Sequence, residues 1–395
     1  MTELAVFAAV VLAYALVSRP IAGTIVTAPL VFAAAGMVAG PQMLGLANAN
    51  VTEGAGLLVA ELALAFVLFA DASRIDLASL RSHQAVPARL LAIGMPLTIA
   101  LGVAAGALLL TEIEFWEAAI VAAVLAPTDA ALGQPLFSSR QVPRRIREAL
   151  SVESGLNDGL SVPFLALFVA LAVDQADVSG RSWVRFAVEQ IGYGALIGAS
   201  VGAIGAWLVG RAHRRELMTG PFERLAVIAL AALAFVLAAE AGGNGFIAAF
   251  VGGLAAGRIT NVCGERILAF LEGEGQLLSL AVFFILGVTS LELLESAGWE
   301  VGAYAVMSLT VVRMLPVAIA TVRTGLSARS VAFMGWFGPR GLASVVLVLT
   351  VAEEQPELPA LDVVLAATTV TVLASILLHA VTAPSLVRAY GSVRT

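Results

Sequence analysis

About thirteen apolar runs, most of them about 20 residues long, follow one another along the chain: 3–18, 21–39, 54–72, 87–111, 116–136, 148–172, 187–210, 223–240, 244–258, 276–293, 299–321, 328–351 and 360–382. A hydrocarbon layer about 30 Å thick takes about 20 apolar residues per crossing helix, and somewhat fewer where a helix is broken. The series therefore predicts an all-α polytopic membrane protein of about 13 transmembrane helices. With 60% hydrophobic and 13% charged residues in 395, the chain holds more apolar surface than one aqueous core hides. In lipid that surface needs no cover, provided that the backbone bonds to itself.

The arginines test the count. The chain has no lysine, so its 22 basic residues are all arginine. Placing the first run's start outside puts Arg19, Arg74, Arg81, Arg89, Arg140, Arg144, Arg145, Arg147, Arg211, Arg214, Arg215, Arg224, Arg258, Arg266, Arg323, Arg329, Arg388 and Arg394 on one face. The other face holds only Arg181 and Arg185, with Glu353, Glu354 and Glu357, while Arg313 and Arg340 fall inside runs. Positive charge stays on the cytoplasmic side, so the expected topology is N-terminus outside and C-terminus cytoplasmic, in a plasma (inner) membrane. The N-terminal M-T-E-L lacks the positive region of a cleaved signal, and the first run reads as a retained helix. Loops are short and the tail after Pro384 is brief, so residues 1–395 read as one transmembrane domain without a soluble regulatory domain. The lone Cys263 reads as a packing residue.

Two runs are interrupted at mid-span. The fifth contains A-P-T-D at 126–129, where Pro127 removes a donor and frees carbonyls around Leu125 and Ala126. The twelfth contains G-W-F-G-P-R-G-L-A-S at 335–344, with Gly338, Pro339, Arg340 and Gly341 together. Non-helical backbone at that depth is tolerated only inside protein or against a wet cavity, and paired interruptions in two halves mark a transporter's central site. The two lie seven runs apart and run in opposite directions, which predicts inverted repeats of six helices; no residue-level self-similarity accompanies the pattern.

Charge inside the runs is costly, about 2.5–3.5 kcal/mol for a carboxylate at the bilayer centre. Glu61, Asp71, Asp129, Glu153, Asp158, Glu189, Glu240, Arg313 and Arg340 are the candidates. Glu61, Glu189 and Glu240 suit interfaces or structural pairing, and Arg313 suits carbonyls or a glutamate. The stretch A-L-S-V-E-S-G-L-N-D-G-L-S-V-P-F at 149–164 differs. On a helix it pairs Glu153 with Asn157 and Ser154 with Asp158 at i, i+4, making two adjacent polar stripes beside Gly155 and Gly159. Hydroxyl and carboxylate oxygens without a soft donor suit a hard cation, and Asp129 and the backbone near Thr128 add more oxygen.

Pro127-Thr128-Asp129, Glu153-Ser154-Gly155-Leu156-Asn157-Asp158 and Gly338-Pro339-Arg340-Gly341 resemble the signature segments of the monovalent cation:proton antiporter family. The match is to its NhaP-like branch, which includes the animal sodium/proton exchangers. L-F-A-D-A-S-R-I-D-L-A-S-L-R at 68–81 is similar to a further family segment. The resemblance implies the NhaA/NhaP-like antiporter fold of thirteen helices, with two broken, crossing helices, a core transport bundle and a dimerisation bundle interleaved in sequence. It implies that Asp158, Asp129, Ser154 and the Thr128 carbonyl bind Na+, with Asp71 standing where relatives carry glutamate. It implies a structural ion pair of Glu153 with Arg340, a site shaped by Asn157, Pro127, Gly338 and Pro339, and a homodimer.

A buried carboxylate disfavours its charged form, so a proton or a cation must neutralise Asp158, and competition between them couples the two fluxes. With Asn157 in place of a second acid and no lysine to titrate, the expected activity is electroneutral 1:1 exchange of Na+ (or Li+) for H+, with no cofactor. A potassium/proton antiporter on the same scaffold is the alternative. An intramembrane aspartyl protease using Asp129 and Asp158 leaves Ser154, Asn157 and Arg340 without a role. A channel lacks its ring of pore-lining acids, and the chain is read as a transporter, not an enzyme.

Overall fold

The computed structural model describes residues 2–47, 55–74, 85–129, 132, 139, 141–173, 182–259 and 265–391. Arg81, Arg140, Arg181, Arg394, Cys263 and the segment following Arg74 lie outside them, as does the side chain of Arg266. Every regular element among the described residues is helical: α1 Thr2–Ile21, α2 Ala28–Ala39, α3 Ala55–Ser73, and α4, which runs Ala85–Arg89, Leu90–Gly94 and Met95–Leu109. Then come α5 Phe115–Val124, α6 Arg144–Val173, α7 Ser182–Arg214, α8 Gly220–Glu240, α9 Gly245–Ile259 and α10 Glu265–Ser296. The series closes with α11 (Trp299–Leu309 and Val311–Ala320, interrupted at Thr310), α12a Ala328–Trp336, α12b Leu342–Glu354 and α13 Leu361–Gly391. The order and places are those expected from the apolar runs. Nine of the described helices are long and apolar enough to cross a membrane by length and composition, and Ala28–Ala39, Phe115–Val124 and Gly245–Ile259 are shorter apolar helices. The α13 helix extends past Pro384 to Gly391, further than its apolar run, because Pro384 loses one backbone bond while the rest of the ladder persists.

Local chemistry explains the irregular turns. The middle of α4, Leu90–Gly94, has π pitch immediately before Pro96, which has no N–H for the carbonyl four residues back. The α5 helix ends at Val124 before Pro127, and the twelfth span stops at Trp336 and restarts at Leu342.

By internal contacts the chain divides into two compact units, each assembled from separate stretches. The first comprises Met1–Leu57, Leu80–Asn157 and Leu280–Thr395, and the second Leu58–Ser79 and Asp158–Ser279. In the second unit α7 and α9 touch backbone to backbone. A Cβ on Gly198 or Gly202 would strike the carbonyls of Ala248 or Gly252, so this spacing of small residues brings the helices together by dispersion, not by the exclusion of water. The first unit uses the same device where Gly102 and Gly106 of α4 meet Ala122 and Ala118 of α5. That contact anchors the half-helix that ends at the first interruption.

Candidate functional site

The two interruptions meet inside the first unit. Asp129 N–H donates to the Pro339 carbonyl at 2.7 Å, and the Leu342 N–H at the start of α12b donates to Asp129 Oδ2 at 2.9 Å. Asp129 thus places a negative charge at a helix N-terminus, where the first N–H groups lack intrahelical partners and the dipole is positive. Arg340 does the converse. Its Nη1 donates to the carbonyls of Ala126 and Pro127 at 2.8 and 2.9 Å, setting a cation on the oxygens exposed at the end of α5. Ser344 Oγ donates to the Val124 carbonyl at 2.7 Å, and the Arg340 N–H donates to Ser375 Oγ at 2.7 Å. The carbonyls freed around Pro127 are therefore held by side chains from the other interruption.

Two glycines permit this approach. A Cβ on Gly341 would enter the Asp129 carboxylate, and one on Gly338 would enter the Arg313 guanidinium. Gly341→Ala is accordingly expected to lower both melting temperature and exchange rate in purified protein. Gly302→Ala, whose Cβ would meet nothing within 4 Å, should leave both unchanged.

The α6 helix supplies the third side. Ser154 Oγ donates to the Thr128 carbonyl, and Asn157 grips the same residue twice. Asn157 Oδ1 accepts from Thr128 N–H at 3.2 Å, while its Nδ2 donates to Thr128 Oγ1 at 2.8 Å. A neutral amide is suited to this position because one end must accept and the other donate. Thr128, Ser154 and Asn157 are all buried. The Thr128 carbonyl and Ser154 hydroxyl keep further lone pairs, so together they offer hard oxygen donors of the kind that bind alkali cations.

Asp158 is the next residue of α6 and the first residue of its stretch of the second unit. It is 8% exposed, and its own carbonyl accepts from Ser161 Oγ at 2.8 Å. Helical spacing places it one turn after Ser154. Asp71 lies near the end of α3, also in the second unit.

The expected pairing of Glu153 with Arg340 is not the one formed. Glu153 accepts a bidentate pair from Arg313 of α11, at 2.6 Å from Nη1 and 2.9 Å from Nη2, with both residues buried. The reason is competition for cations: the carbonyls at the end of α5 take Arg340, so the carboxylate is met by the other buried guanidinium. Arg313 was legible as an intramembrane arginine suited to a glutamate, but nothing local to it names Glu153. Ser344, Ser375 and His379, which also hold the interruption, gave no sequence signal beyond being polar groups in apolar runs.

Comparison with known proteins follows the same lines. The sequence profile described as "Sodium/hydrogen exchanger, transmembrane" matches residues 6–389. A potassium/proton antiporter NhaP of Alkalimonas amylolytica is 26% identical over 324 residues, covering 81% of this chain and 55% of the relative. A potassium/proton antiporter NhaP2 of Shewanella sp. (strain ANA-3) is 26% identical over 296 residues, 73% of this chain and 50% of the relative. The chain thus spans about half the length of these curated relatives. The structure of the sodium proton antiporter MjNhaP1 from Methanocaldococcus jannaschii at pH 8 superposes with a TM-score of 0.80 at 18% identity, covering 96% of this chain and 99% of that one. The two share a fold.

Proposed function

The chain belongs to the sodium/hydrogen exchanger family, and on that premise we propose that it exchanges one monovalent cation for one proton at a carboxylate, Asp158, buried within α6. The observation that carries this reading is the convergence of Thr128 and Ser154 oxygens at the crossing of two interrupted spans, one helical turn before Asp158. An alkali cation shedding its hydration shell needs such oxygens, and the carboxylate supplies the charge. Asp129, Ser154 and the Thr128 carbonyl are the proposed fellow ligands, with Asp71 a further candidate.

Charge sets the proposed stoichiometry. At the crossing the acids Glu153 and Asp129 match the bases Arg313 and Arg340 in number. Asp158 adds one acid to α6, and one proton or one monovalent cation neutralises one carboxylate. A site carrying net charge crosses an apolar barrier poorly. The loaded forms, in which the carboxylate is neutralised, therefore move and the empty, charged form does not, which makes exchange obligatory and electroneutral. In this reading the protein lies in a plasma membrane as a homodimer, with its N-terminus outside and its arginine-rich face in the cytoplasm, and mobile and dimer-forming bundles interleave in sequence.

Sodium is the cation proposed here, with lithium as its congener. The names of the NhaP and NhaP2 relatives favour potassium as the second reading. Both use oxygen ligands and differ in the size of cavity they need. Proteoliposomes with an internal pH dye separate them. Sodium added outside should dissipate an imposed pH gradient at lower concentration than potassium, at a rate unchanged by valinomycin and potassium clamping of the voltage. A lower half-saturating concentration for potassium would select the second reading, and a voltage-dependent rate would reject 1:1 exchange.

A further inference from the structure

His379 of α13 is buried at the interruption of the twelfth span, and nothing in the exchange scheme above uses it. Its Nε2 lies 2.9 Å from the carbonyl of Trp336, the last residue of α12a. Its Nδ1 lies 2.8 Å from the Ser375 carbonyl and 3.3 Å from Ser375 Oγ. That hydroxyl oxygen in turn accepts the backbone N–H of Arg340. The histidine therefore spans from the end of α12a, through one hydroxyl, to the arginine that covers the end of α5.

The two nitrogens cannot be served alike in both protonation states. A neutral imidazole has one N–H and one lone pair. With Nε2–H donated to the Trp336 carbonyl, Nδ1 is an acceptor: it faces the Ser375 carbonyl lone pairs and is satisfied by the Ser375 hydroxyl proton. A protonated ring has two N–H groups, and both find carbonyl oxygens in place. Nδ1–H then bonds the Ser375 carbonyl, and the hydroxyl turns away from the ring.

Among the described residues the charged groups that act on the ring are cations, Arg340 from the interruption and Arg313 from α11. It meets the rings of Trp336, at the end of α12a, and of Phe337, the residue that follows. The α2 helix, packed on α13, carries no titratable residue. On α5 the single titratable residue is Glu117, in the first turn, at the end away from the interruption. On α12b the acids are Glu353 and Glu354, at the far end; the first half of α11 brings Glu300 and the phenol of Tyr304.

We propose that His379 is a positioning residue of the exchange reaction: a proton on its ring makes the bond from Nε2–H to the Trp336 carbonyl charge-assisted, and so stronger, while Nδ1–H braces the ring on the Ser375 carbonyl of its own helix, fastening α12a to α13 and holding the crossing still. The proposal rests on the exchange reading above. Its consequence is a fall of maximal rate on the acid side that saturating cation does not relieve. Competition between proton and cation at Asp158 raises the half-saturating concentration instead, so the two effects separate.

The test uses two measurements on the full chain. In proteoliposomes, the maximal rate of wild type at saturating sodium should fall as the pH is lowered between about 8 and 5, the range in which histidine titrates. His379→Gln keeps an acceptor and a donor but cannot take the proton. It should lose that fall in maximal rate while its half-saturating concentration keeps the wild-type dependence on pH. His379→Asn should behave in the same way. A uniformly lowered rate with the wild-type profile shape would mean a structural role only and would overturn the proposal. The second measurement is independent of transport: nitrogen-15 histidine NMR of the His83→Gln, His213→Gln protein, in which His379 is the remaining histidine. A ring that titrates in this range supports the proposal, and one fixed in a single state overturns it. Absence of exchange in wild type with a titrating ring would remove the transport reading and leave the proton-dependent bonding standing.

Discussion

Asp158→Asn is expected to abolish cation-driven proton flux while leaving the fold intact. Asparagine has nearly the volume of aspartate, so the packing of α6 around position 158 is kept. It carries no charge for a cation to neutralise and takes up no proton near neutral pH. Both half-reactions therefore stop together. Sodium-dependent dissipation of a pH gradient should drop to that of empty liposomes, with elution profile and melting temperature close to wild type. The variant should also lose any rise in melting temperature that sodium confers, since a ligand stabilises only the state that binds it. Retained flux in Asp158→Asn would remove the central assignment, and Asp71 and Asp129 would then need the same treatment. Asn157→Asp, by contrast, keeps the oxygen facing the Thr128 N–H but replaces the amide that donates to Thr128 Oγ1 with a second acid.

Glu153→Ala is expected to unfold the protein readily, more than to tune it. The carboxylate meets Arg313 through two short bonds in a buried setting, and removing it strands a guanidinium away from water. Orphaning one member of a buried pair costs about 3–5 kcal/mol. Melting temperature and membrane yield should fall sharply, and Arg313→Ala should do the same. Removing both leaves a void but no stranded charge, so the double variant should be less destabilised than the two losses added together, by at least about 1 kcal/mol. The double variant of Glu153→Ala with Arg340→Ala should show no such recovery, since Arg340 serves the Ala126 and Pro127 carbonyls. Recovery in the second double variant and none in the first would sink the observed pairing.

These residues mark how far local information reached. The interruptions at Pro127 and at Gly338–Gly341 were legible because proline and glycine act on their own backbone, whatever surrounds them. The oxygen-rich face of α6 was legible because residues four apart on a helix share a side. Asp129 was legible as an acid inside an apolar run, but its place at the start of α12b was not: that contact joins positions 213 apart in the chain. Arg313 and Arg340 were both visible as arginines inside apolar runs, and the choice between them for Glu153 was invisible. Each guanidinium suits a carboxylate, and only the carbonyls at the end of α5 decide which one is already engaged. His379 was silent because a histidine in an apolar run is read by what faces it.

By itself the sequence determined that this chain lives in lipid, the order and approximate places of its helices, and the interruptions at Pro127 and at Gly338–Gly341; the break of α11 at Thr310 and the reach of α10 and α13 beyond their apolar runs came from the structure. Run length, arginine spacing and proline act over a few residues, and lipid requires each helix to satisfy its own backbone, so that information is complete within each segment. Tertiary structure alone decided the partners: Asp129 on the start of α12b, Arg340 on the end of α5, Arg313 on Glu153, and His379 between Trp336 and Ser375. A buried charge or polar group goes to whichever neighbour leaves fewest others unsatisfied, and that choice exists only once distant helices stand side by side.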